Sequence, residues 1–253
     1  MTVHPAAAQG FATGSRAYER GRPSYHPEAV AWLADGLGLG PGSTLVDLAA
    51  GTGKLARLLV DRVAPGGRVV AIEPVAEMRA RLAEVVPEVE VLDGTAEDLP
   101  LADGSADAVA VAQAFHWFDG PAALDEIARV LRPGGGLGLV WNVRDMGDPV
   151  QEAIEGLTEH LRGDTPSYRS GRWRSAFVVG DDRFTPLEEH VVAYRQEAVD
   201  ADGLADRVGS TSFVANLDKA EREAVLAGVR ALVPTGGTVA LPYLSTAYRC
   251  RRR

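Results

Sequence analysis

The residues best suited to bind a ligand follow a short apolar run near the start of the chain. Asp47 lies within that run, Thr44–Leu48, and residues 49–53 then read Ala-Ala-Gly-Thr-Gly. Apolar residues at helical spacing from Leu55 to Val63 predict a helix directly after this turn. Glycines let backbone amides approach a ligand, and a helix N-terminus favours polar or anionic groups. Strand, glycine turn and helix therefore predict a cradle for a nucleotide-like ligand.

Further polar, small and aromatic residues with suitable chemistry follow the next four apolar runs. In chain order they are Glu73, Thr95, Ala96, Glu97, Gln113, His116, Trp117, Trp141, Asn142 and Arg144. In an open parallel sheet, ligands bind beyond the carboxyl ends of the strands. We therefore expect these residues to converge on one edge of a sheet.

The elements that must position these residues are apolar runs that alternate with segments of helical periodicity. The runs cover residues 44–48, 68–72, 89–92, 107–112, 137–140, 190–194 and 239–248. This alternation predicts an α/β fold whose parallel sheet is doubly wound, with helices on both faces. The connection of the final pair of runs favours an antiparallel last strand. The expected sheet is thus seven-stranded and mostly parallel.

Two segments outside these strands could enclose a ligand. Residues 1–40 predict an N-terminal helical lid or cap, and residues 41–253 form the main domain. Two tyrosines and two arginines in the first segment could cover a ligand, although a surface segment packed by its aromatic rings explains them equally well. An insertion of about residues 149–184, before the sixth strand, either walls a substrate pocket or forms only an outer helix and loop.

Composition restricts the class of partner. The chain has 253 residues and a net charge of −9, which argues against a nucleic-acid-binding protein. The single cysteine, Cys250, and five histidines without ligand spacing predict no metal site. No signal-peptide-like or membrane-spanning run occurs in the sequence. We expect a cytoplasmic monomer or homodimer that binds small molecules and neither nucleic acid nor membranes.

The glycine turn alone leaves a second cofactor class open. Gly51-x-Gly53-x-x-Ala56, with Glu73 about 20 residues further on, satisfies a loose dinucleotide fingerprint. An NAD(P)-dependent oxidoreductase is therefore an alternative hypothesis. No Tyr-x-x-x-Lys pair occurs in the chain, so one common proton relay of such enzymes is missing.

Taken together, the segments between residues 18 and 145 resemble a known family. They are Val-Asp-Leu-Ala-Ala-Gly-Thr-Gly at 46–53, Ile-Glu-Pro at 72–74 with Met78-Arg79, Gly-Thr-Ala-Glu-Asp-Leu-Pro at 94–100, Gln-Ala-Phe-His-Trp-Phe at 113–118 and Leu-Arg-Pro-Gly-Gly at 131–135. In this order the chain resembles the class I S-adenosylmethionine-dependent methyltransferases. It is most similar to the small-molecule branch that includes ubiquinone/menaquinone methyltransferases and trans-aconitate-methyltransferase-like enzymes. The resemblance implies a Rossmann-like sheet.

The resemblance also implies a cofactor, S-adenosylmethionine, with S-adenosylhomocysteine as product and no metal. The residues that it assigns to the cofactor are Tyr18, Asp47, Ala49, Gly51, Thr52, Gly53, Glu73, Pro74, Met78, Thr95, Ala96, Glu97 and Gln113. Asp47 and the glycine turn would hold the methionine portion, and Glu73 the ribose hydroxyls. Pro74 and Met78 would pack on the adenine face, and Ala96 and Glu97 would meet its edge. Thr95 departs from the family, since many relatives carry aspartate there.

The remaining residues are candidates for an acceptor pocket. They are Arg22, Tyr25, His116, Trp117, Trp141, Asn142, Arg144 and Trp173. Arg22 or Arg144 could meet a carboxylate, and His116 is a candidate general base or a pocket residue. The implied activity is methyl transfer to an O, N or C nucleophile of a small molecule, in metabolism or natural-product biosynthesis. A non-catalytic S-adenosylmethionine-binding sensor or partner protein is the alternative.

Overall fold

The computed structural model describes residues 21–178 and 182–253. The strands are β1 (Thr44–Leu48), β2 (Arg68–Ile72), β3 (Glu90–Leu92), β4 (Ala106–Ala112), β5 (Leu131–Arg144), β6 (Glu188–Arg195) and β7 (Pro242–Arg251). The α-helices are α1 (Pro27–Leu37), α2 (Ala56–Val63), α3 (Ala76–Val85), α4 (Gly120–Val130), α5 (Pro149–Thr158), α6 (Ala201–Gly209), α7 (Ser212–Ala215) and α8 (Lys219–Arg230). Short 3₁₀ helices cover Phe115–Trp117, Glu159–Leu161, Tyr168–Ser170 and Arg172–Ala176.

The strands form one sheet in the order β3-β2-β1-β4-β5-β7-β6. The pairs from β3 to β5 are parallel, whereas β7 runs antiparallel to both β5 and β6. The prediction of a seven-stranded, mostly parallel sheet with an antiparallel last strand is confirmed. The insertion of β7 between β5 and β6 also distinguishes this sheet from the six-stranded parallel order of the dinucleotide-binding fold.

The start of β5 differs from the prediction of a strand over residues 137–140. Leu131 pairs with Ala106 and Gly136 pairs with Ala108, so residues 132–135 are looped out opposite a single residue. Pro133 cannot donate to a ladder and Gly134 has a φ of 77°, which together produce this bulge. The strand therefore begins directly after α4 and continues to Arg144, with β4 and β7 as its neighbours.

Both faces of the central strands β1, β2 and β4 are buried, which explains why these strands are nearly continuous apolar runs. On one face Leu33, Leu59 and Leu82, from α1, α2 and α3, pack against the sheet. On the other face α4 packs together with an aromatic cluster around Trp141 and Trp173. Because α1 lies against β5 and β7, the helical part of the predicted lid is a layer of the main domain.

A third apolar cluster joins two segments that are separate in sequence. Ile154 of α5 packs with Leu204 and Val208 of α6, Val229 of α8 and Tyr243 at the start of β7. We call the four helices α5 to α8, together with residues 159–170 that follow α5, the helical cap. Since Tyr243 pairs with Arg144, the cap lies at the carboxyl end of β5. The predicted insertion, about residues 149–184, supplies only part of it, and the connection between β6 and β7 supplies the rest.

Over residues 21–178 and 182–253, no helix is both long and apolar enough to cross a membrane.

Candidate functional site

The carboxyl edge of the sheet carries unusual backbone conformations. Ala49 has a φ of 55° and Gln113 a φ of 59°, and within the described ranges no other non-glycine residue has a positive φ. Gly51 and Gly53 in the turn after β1 also have positive φ, 58° and 79°. Non-glycine residues in this region cost of order 1–3 kcal/mol and cluster at functional sites. The strain therefore marks the ends of β1 and β4, next to each other in the sheet.

Asp47, in β1, is a fully buried carboxyl group with one unsatisfied oxygen. Its Oδ2 accepts a hydrogen bond from the backbone N–H of Ala56, 3.0 Å away at the start of α2. Its Oδ1 has no hydrogen-bond partner among the residues described. Burial raises the pKa of Asp47 to about 7, against a smaller opposing effect of the Ala56 N–H. Such a group is suited to receive a cationic or hydrogen-bond-donating ligand.

Glu73, after β2, is held by the backbone of two turns. Its Oε2 accepts from the N–H of Gly51 and its Oε1 from the N–H of Val75, both at 2.9 Å. Burial raises the pKa of Glu73 and these two hydrogen bonds oppose that change. Each oxygen of a carboxylate has two lone pairs, so the oriented group can still accept from hydroxyls of a ligand.

The residues after β3 contribute a second unsatisfied polar atom. Thr95 Oγ1 is buried and, in the described part of the chain, has no hydrogen-bond partner. Ala96 is buried beside it, whereas Glu97 Oε1 accepts from the N–H of Asp119 at the start of α4, 3.0 Å away. Met78 is only 2% exposed, so its thioether packs within the domain and leaves little surface for the predicted adenine contact.

His116 lies in the 3₁₀ helix after β4, and its hydrogen bonding argues against a general base. Its Nδ1 accepts from the indole N–H of Trp141 at 3.2 Å, which in the neutral ring leaves Nε2 as a donor. Burial, and then the charges of Arg22 and Arg162, lower the pKa of His116 to about 3. The ring is therefore neutral at physiological pH and its basic nitrogen is occupied, which favours the pocket interpretation.

The aromatic cluster behind His116 determines which tryptophan can meet a ligand. The ring centroids of Trp141 and Trp173 are 4.7 Å apart, and Tyr168 stacks on the same pair. Trp173 is 5% exposed and lies behind this wall. Tyr25, 7% exposed, packs in the apolar layer of α1 on the other face of the sheet. Both were predicted to contact substrate, but neither is among the residues that line the cavity described next.

A cavity of about 200 Å³ lies between the carboxyl ends of β4 and β5 and the helical cap. The predicted site residues that line it follow β4, lie at the carboxyl end of β5 or precede α1. They are Arg22, Gln113, His116, Trp117, Trp141, Asn142 and Arg144. The structure thus brings together most of the residues assigned to the acceptor.

The cap side of the cavity was missed from the sequence. Arg162, Tyr168 and Arg169 come from the insertion, and Arg207 and Phe213 come from α6 and α7. The guanidinium of Arg162 lies 4.8 Å from the centroid of the Phe213 ring and so joins the two segments. The available signal was the high arginine content of residues 162–174, together with helices between two strands that a short hairpin could have connected.

Residues 21–24 connect the strand side of the site to the cap. The side chain of Asn142 donates to the carbonyl of Ser24 at 3.0 Å, and Arg207 Nε donates to the carbonyl of Gly21 at 3.2 Å. In the other direction, Arg22 donates to the carbonyl of Ser210 at 3.2 Å. This segment therefore covers part of the predicted acceptor site. Tyr18, assigned to the cofactor from the sequence, lies outside the described residues.

Comparison with known proteins gives the family. Residues 46–139 match the model of a methyltransferase domain. The chain is 40% identical over 247 residues to the uncharacterized methyltransferase Rv3342 of Mycobacterium tuberculosis, with 94% of each chain covered. It is 34% identical over 180 residues to a demethylmenaquinone methyltransferase of Mycobacterium sp. (strain KMS), with 70% of each chain covered.

Solved structures show the same fold at lower sequence identity. A candidate type II methyltransferase from Anaeromyxobacter dehalogenans superposes with a TM-score of 0.64 at 22% identity, covering 91% of this chain and 97% of that one. The YcgJ protein from Bacillus subtilis gives a TM-score of 0.57 at 18% identity, covering 90% and 99%. With full-length relatives at this identity and a matching domain model, the chain belongs to the class I S-adenosylmethionine-dependent methyltransferases.

Proposed function

We propose that this methyltransferase acts on a small-molecule acceptor, at an O, N or C nucleophile, held in the cavity between the sheet edge and the helical cap. The observation that carries the proposal is the adjacency of two chemically different regions. Turns after β1 to β3 offer oriented carboxylates and strained backbone, and the ends of β4 and β5 border a cavity with aromatic and cationic walls. The similarity to a demethylmenaquinone methyltransferase supports an acceptor of small-molecule type.

The turns after β1 to β3 fit the cofactor of the family. The buried Oδ1 of Asp47 and Oγ1 of Thr95 both lack partners within the described ranges, as expected of atoms that bind a ligand. We assign Asp47 and the Gly51–Gly53 turn to the methionine portion, Glu73 to the ribose and Thr95 to the adenine edge. When bound, S-adenosylmethionine supplies a methyl group on a positively charged sulfur.

The other half of the site binds and orients the acceptor. Trp141 fixes the ring of His116 through the indole N–H, so the Nε2–H of His116 is available to donate to an acceptor oxygen or nitrogen. Residues 21–24 and the cap cover part of the cavity. Because methyl transfer depends strongly on alignment, we infer that positioning, rather than proton abstraction by His116, is what this wall contributes.

The remaining hypotheses make different predictions. Family membership and the antiparallel β7 argue against the hypothesis of an NAD(P)-dependent oxidoreductase. A non-catalytic sensor would bind S-adenosylmethionine without forming product with any acceptor. The cavity favours the enzyme, because a sensor that reads only the cofactor has no need of a second, cap-enclosed pocket.

Calorimetric titration and an acceptor screen test the proposal together. We expect S-adenosylmethionine and S-adenosylhomocysteine to bind and NAD not to bind. Incubation with S-adenosylmethionine and a small-molecule panel should release S-adenosylhomocysteine with at least one acceptor. Folded protein that binds neither sulfur nucleotide would overturn the cofactor assignment. Tight cofactor binding without product across the panel would favour the sensor.

A further inference from the structure

Five arginines are among the described residues that line the cavity. Arg162, Arg169 and Arg207 line it from the cap, and Arg22 and Arg144 line it from the sheet side. Neither aspartate nor glutamate is among the residues of the described ranges that form this wall. The protein as a whole carries a net charge of −9, so the excess of positive charge is a local property of the cavity.

The carboxylates nearby compensate only part of this charge. Arg144 and Arg169 both pair with Glu155 and thus share one carboxylate. The buried guanidinium of Arg144 has its pKa lowered by burial and by the charges of Arg162 and Arg169, which the Glu155 carboxylate opposes. Two guanidinium groups on one carboxylate leave an excess positive charge at the cavity wall.

Within the described part of the chain, Arg162 and Arg207 each have side-chain N–H groups without a hydrogen-bond partner. Arg162 donates from Nε to Glu159 at 2.8 Å, and within the described part of the chain its two terminal nitrogens have no hydrogen-bond partner. Arg207 donates from Nε to the carbonyl of Gly21, and its buried Nη1 lacks a partner among the residues described. A guanidinium with free terminal nitrogens matches the two oxygens of a carboxylate or phosphate.

His116 also offers a hydrogen-bond donor to the cavity. Its Nδ1 accepts from Trp141, so the nitrogen left for a ligand is a donor. The side chains available to a ligand on this wall are thus mostly donors, several of them charged. An acceptor-rich, negatively charged group satisfies them, whereas a neutral hydrocarbon would leave them desolvated and unpaired.

We propose that the methyl acceptor carries an acidic group, a carboxylate or a phosphate, and that Arg162 and Arg207 on the helical cap bind it. This inference rests on the proposed function, since it names the substrate class of the same cavity. The partly exposed ring of Trp117 would contact the rest of the acceptor. A volume of about 200 Å³ is below the ~300–1,000 Å³ of typical ligand pockets, so the acceptor is small.

Matched pairs of probes test the charge requirement on the unaltered protein. Calorimetry in the presence of S-adenosylhomocysteine would compare benzoate and phenyl phosphate with benzamide, and hexanoate with hexanamide. We expect an acid on at least one scaffold to bind about tenfold or more tightly than its amide, as for a charge-assisted contact. Tighter binding of benzoate or of phenyl phosphate distinguishes the two acidic groups. No acid preference on either scaffold, including no binding at all, overturns the proposal.

Variants test whether Arg162 and Arg207 bind the acidic group of the acceptor. Arg162→Gln and Arg207→Gln should each weaken binding of the preferred acid about tenfold and leave S-adenosylhomocysteine binding unchanged. Arg172→Gln is the matched control, because Arg172 is exposed in the same insertion and does not line the cavity. Equal losses in all three would overturn the assignment to Arg162 and Arg207. Failure to bind S-adenosylhomocysteine contradicts the proposed function, whereas cofactor binding without acid preference contradicts only this inference.

Discussion

The two halves of the carboxyl edge are built in different ways. In the cofactor half, the candidates from Asp47 to Glu97, apart from Met78 in α3, lie in or just after their strands. Hydrogen bonds such as that from the N–H of Gly51 to Glu73 join neighbouring turns. In the acceptor half, the wall combines strand ends with residues 21–24 and two cap segments far apart in sequence. The first half depends on local backbone geometry and buried carboxylates. The second depends on long side chains that tertiary packing brings together.

Among substitutions that affect one half of the site, Asp47→Asn in the cofactor half should have the largest effect. Asparagine keeps the shape and can still accept from the N–H of Ala56, but it cannot carry the negative charge. We expect S-adenosylmethionine affinity to fall about a hundredfold, as when one partner of a buried charged pair is removed. Calorimetry measures it, with Asp61→Asn on the exposed side of α2 as control. Unchanged affinity would remove Asp47 from the cofactor half.

Substitution of Gly53 in the glycine turn should destabilise the fold, because the turn packs closely against the α3 region. A Cβ at Gly53 would lie 3.0 Å from both Leu82 Cγ and Val86 Cγ2 of the α3 region, at a φ of 79°. We expect Gly53→Ala to lower the free energy of unfolding by about 2–4 kcal/mol, from strain and overpacking together. Urea denaturation measures it.

Gly66→Ala separates those two causes. Gly66 has a similar φ of 82° and open space around its Cβ position. This variant should lose only about 1–2 kcal/mol, the cost of the backbone conformation. If both glycine variants lose equally, contact with α3 is not what constrains the turn.

Much of the cofactor half could be predicted from the sequence, because its signals are local. Buried strands such as Arg68–Ile72 are continuous apolar runs, and Gly51 and Gly53 mark the turn where one ends. The positive φ of Ala49 and Gln113 could not be predicted, since neither residue type favours that conformation. Pro133 and Gly134 suggested a break before β5, whereas they form a bulge within it.

The acceptor half was only partly predictable, because its residues meet through tertiary contacts. Trp141 and Trp173 carry the same sequence signal, yet only Trp141 is among the residues that line the cavity. Arg162 and Arg207 belong to segments that no short-range pattern relates, and the apolar packing of α5 on α6 and α8 brings them to one wall. Periodicity predicts which helices form, but it does not determine which of their ends converge.

The two halves should also respond to pH in opposite directions. The folded-state pKa of Asp47, about 7, is above its ordinary 3.8, so between these values the folded state binds more protons and stability falls as pH rises. The folded-state pKa of His116, about 3, is below its ordinary 6.5, so stability falls as pH decreases through that interval. Each slope reaches at most about 1.4 kcal/mol per pH unit, and in the unaltered protein they partly cancel.

Variants separate these slopes in urea unfolding between pH 4 and 8 without cofactor. Asp47→Asn should leave a protein that, relative to the unaltered one, gains stability as pH rises to 6.5. Glu73, whose pKa burial also raises, reduces this gain and is present in every variant. His116→Asn, whose side-chain oxygen can still accept from Trp141, should leave one that loses stability as pH rises to 7. His160→Asn is the control at an exposed histidine of the cap. Parallel pH profiles for all three variants would contradict the burial of both groups.

The smallest effect should come from the contact that holds residues 21–24 against the strand ends within the acceptor half. Asn142 and the hydroxyl of Tyr194 both donate to the carbonyl of Ser24, at 3.0 and 3.3 Å. Each bond is worth about 0.5–1.5 kcal/mol, so Asn142→Ala with Tyr194→Phe should speed hydrogen exchange in residues 21–26 about tenfold. Global stability should change little, because Tyr194→Phe keeps its packing and Asn142 lies at a strand end. Unchanged exchange would mean that the arginine contacts to the cap, rather than the strand ends, hold this segment over the acceptor site.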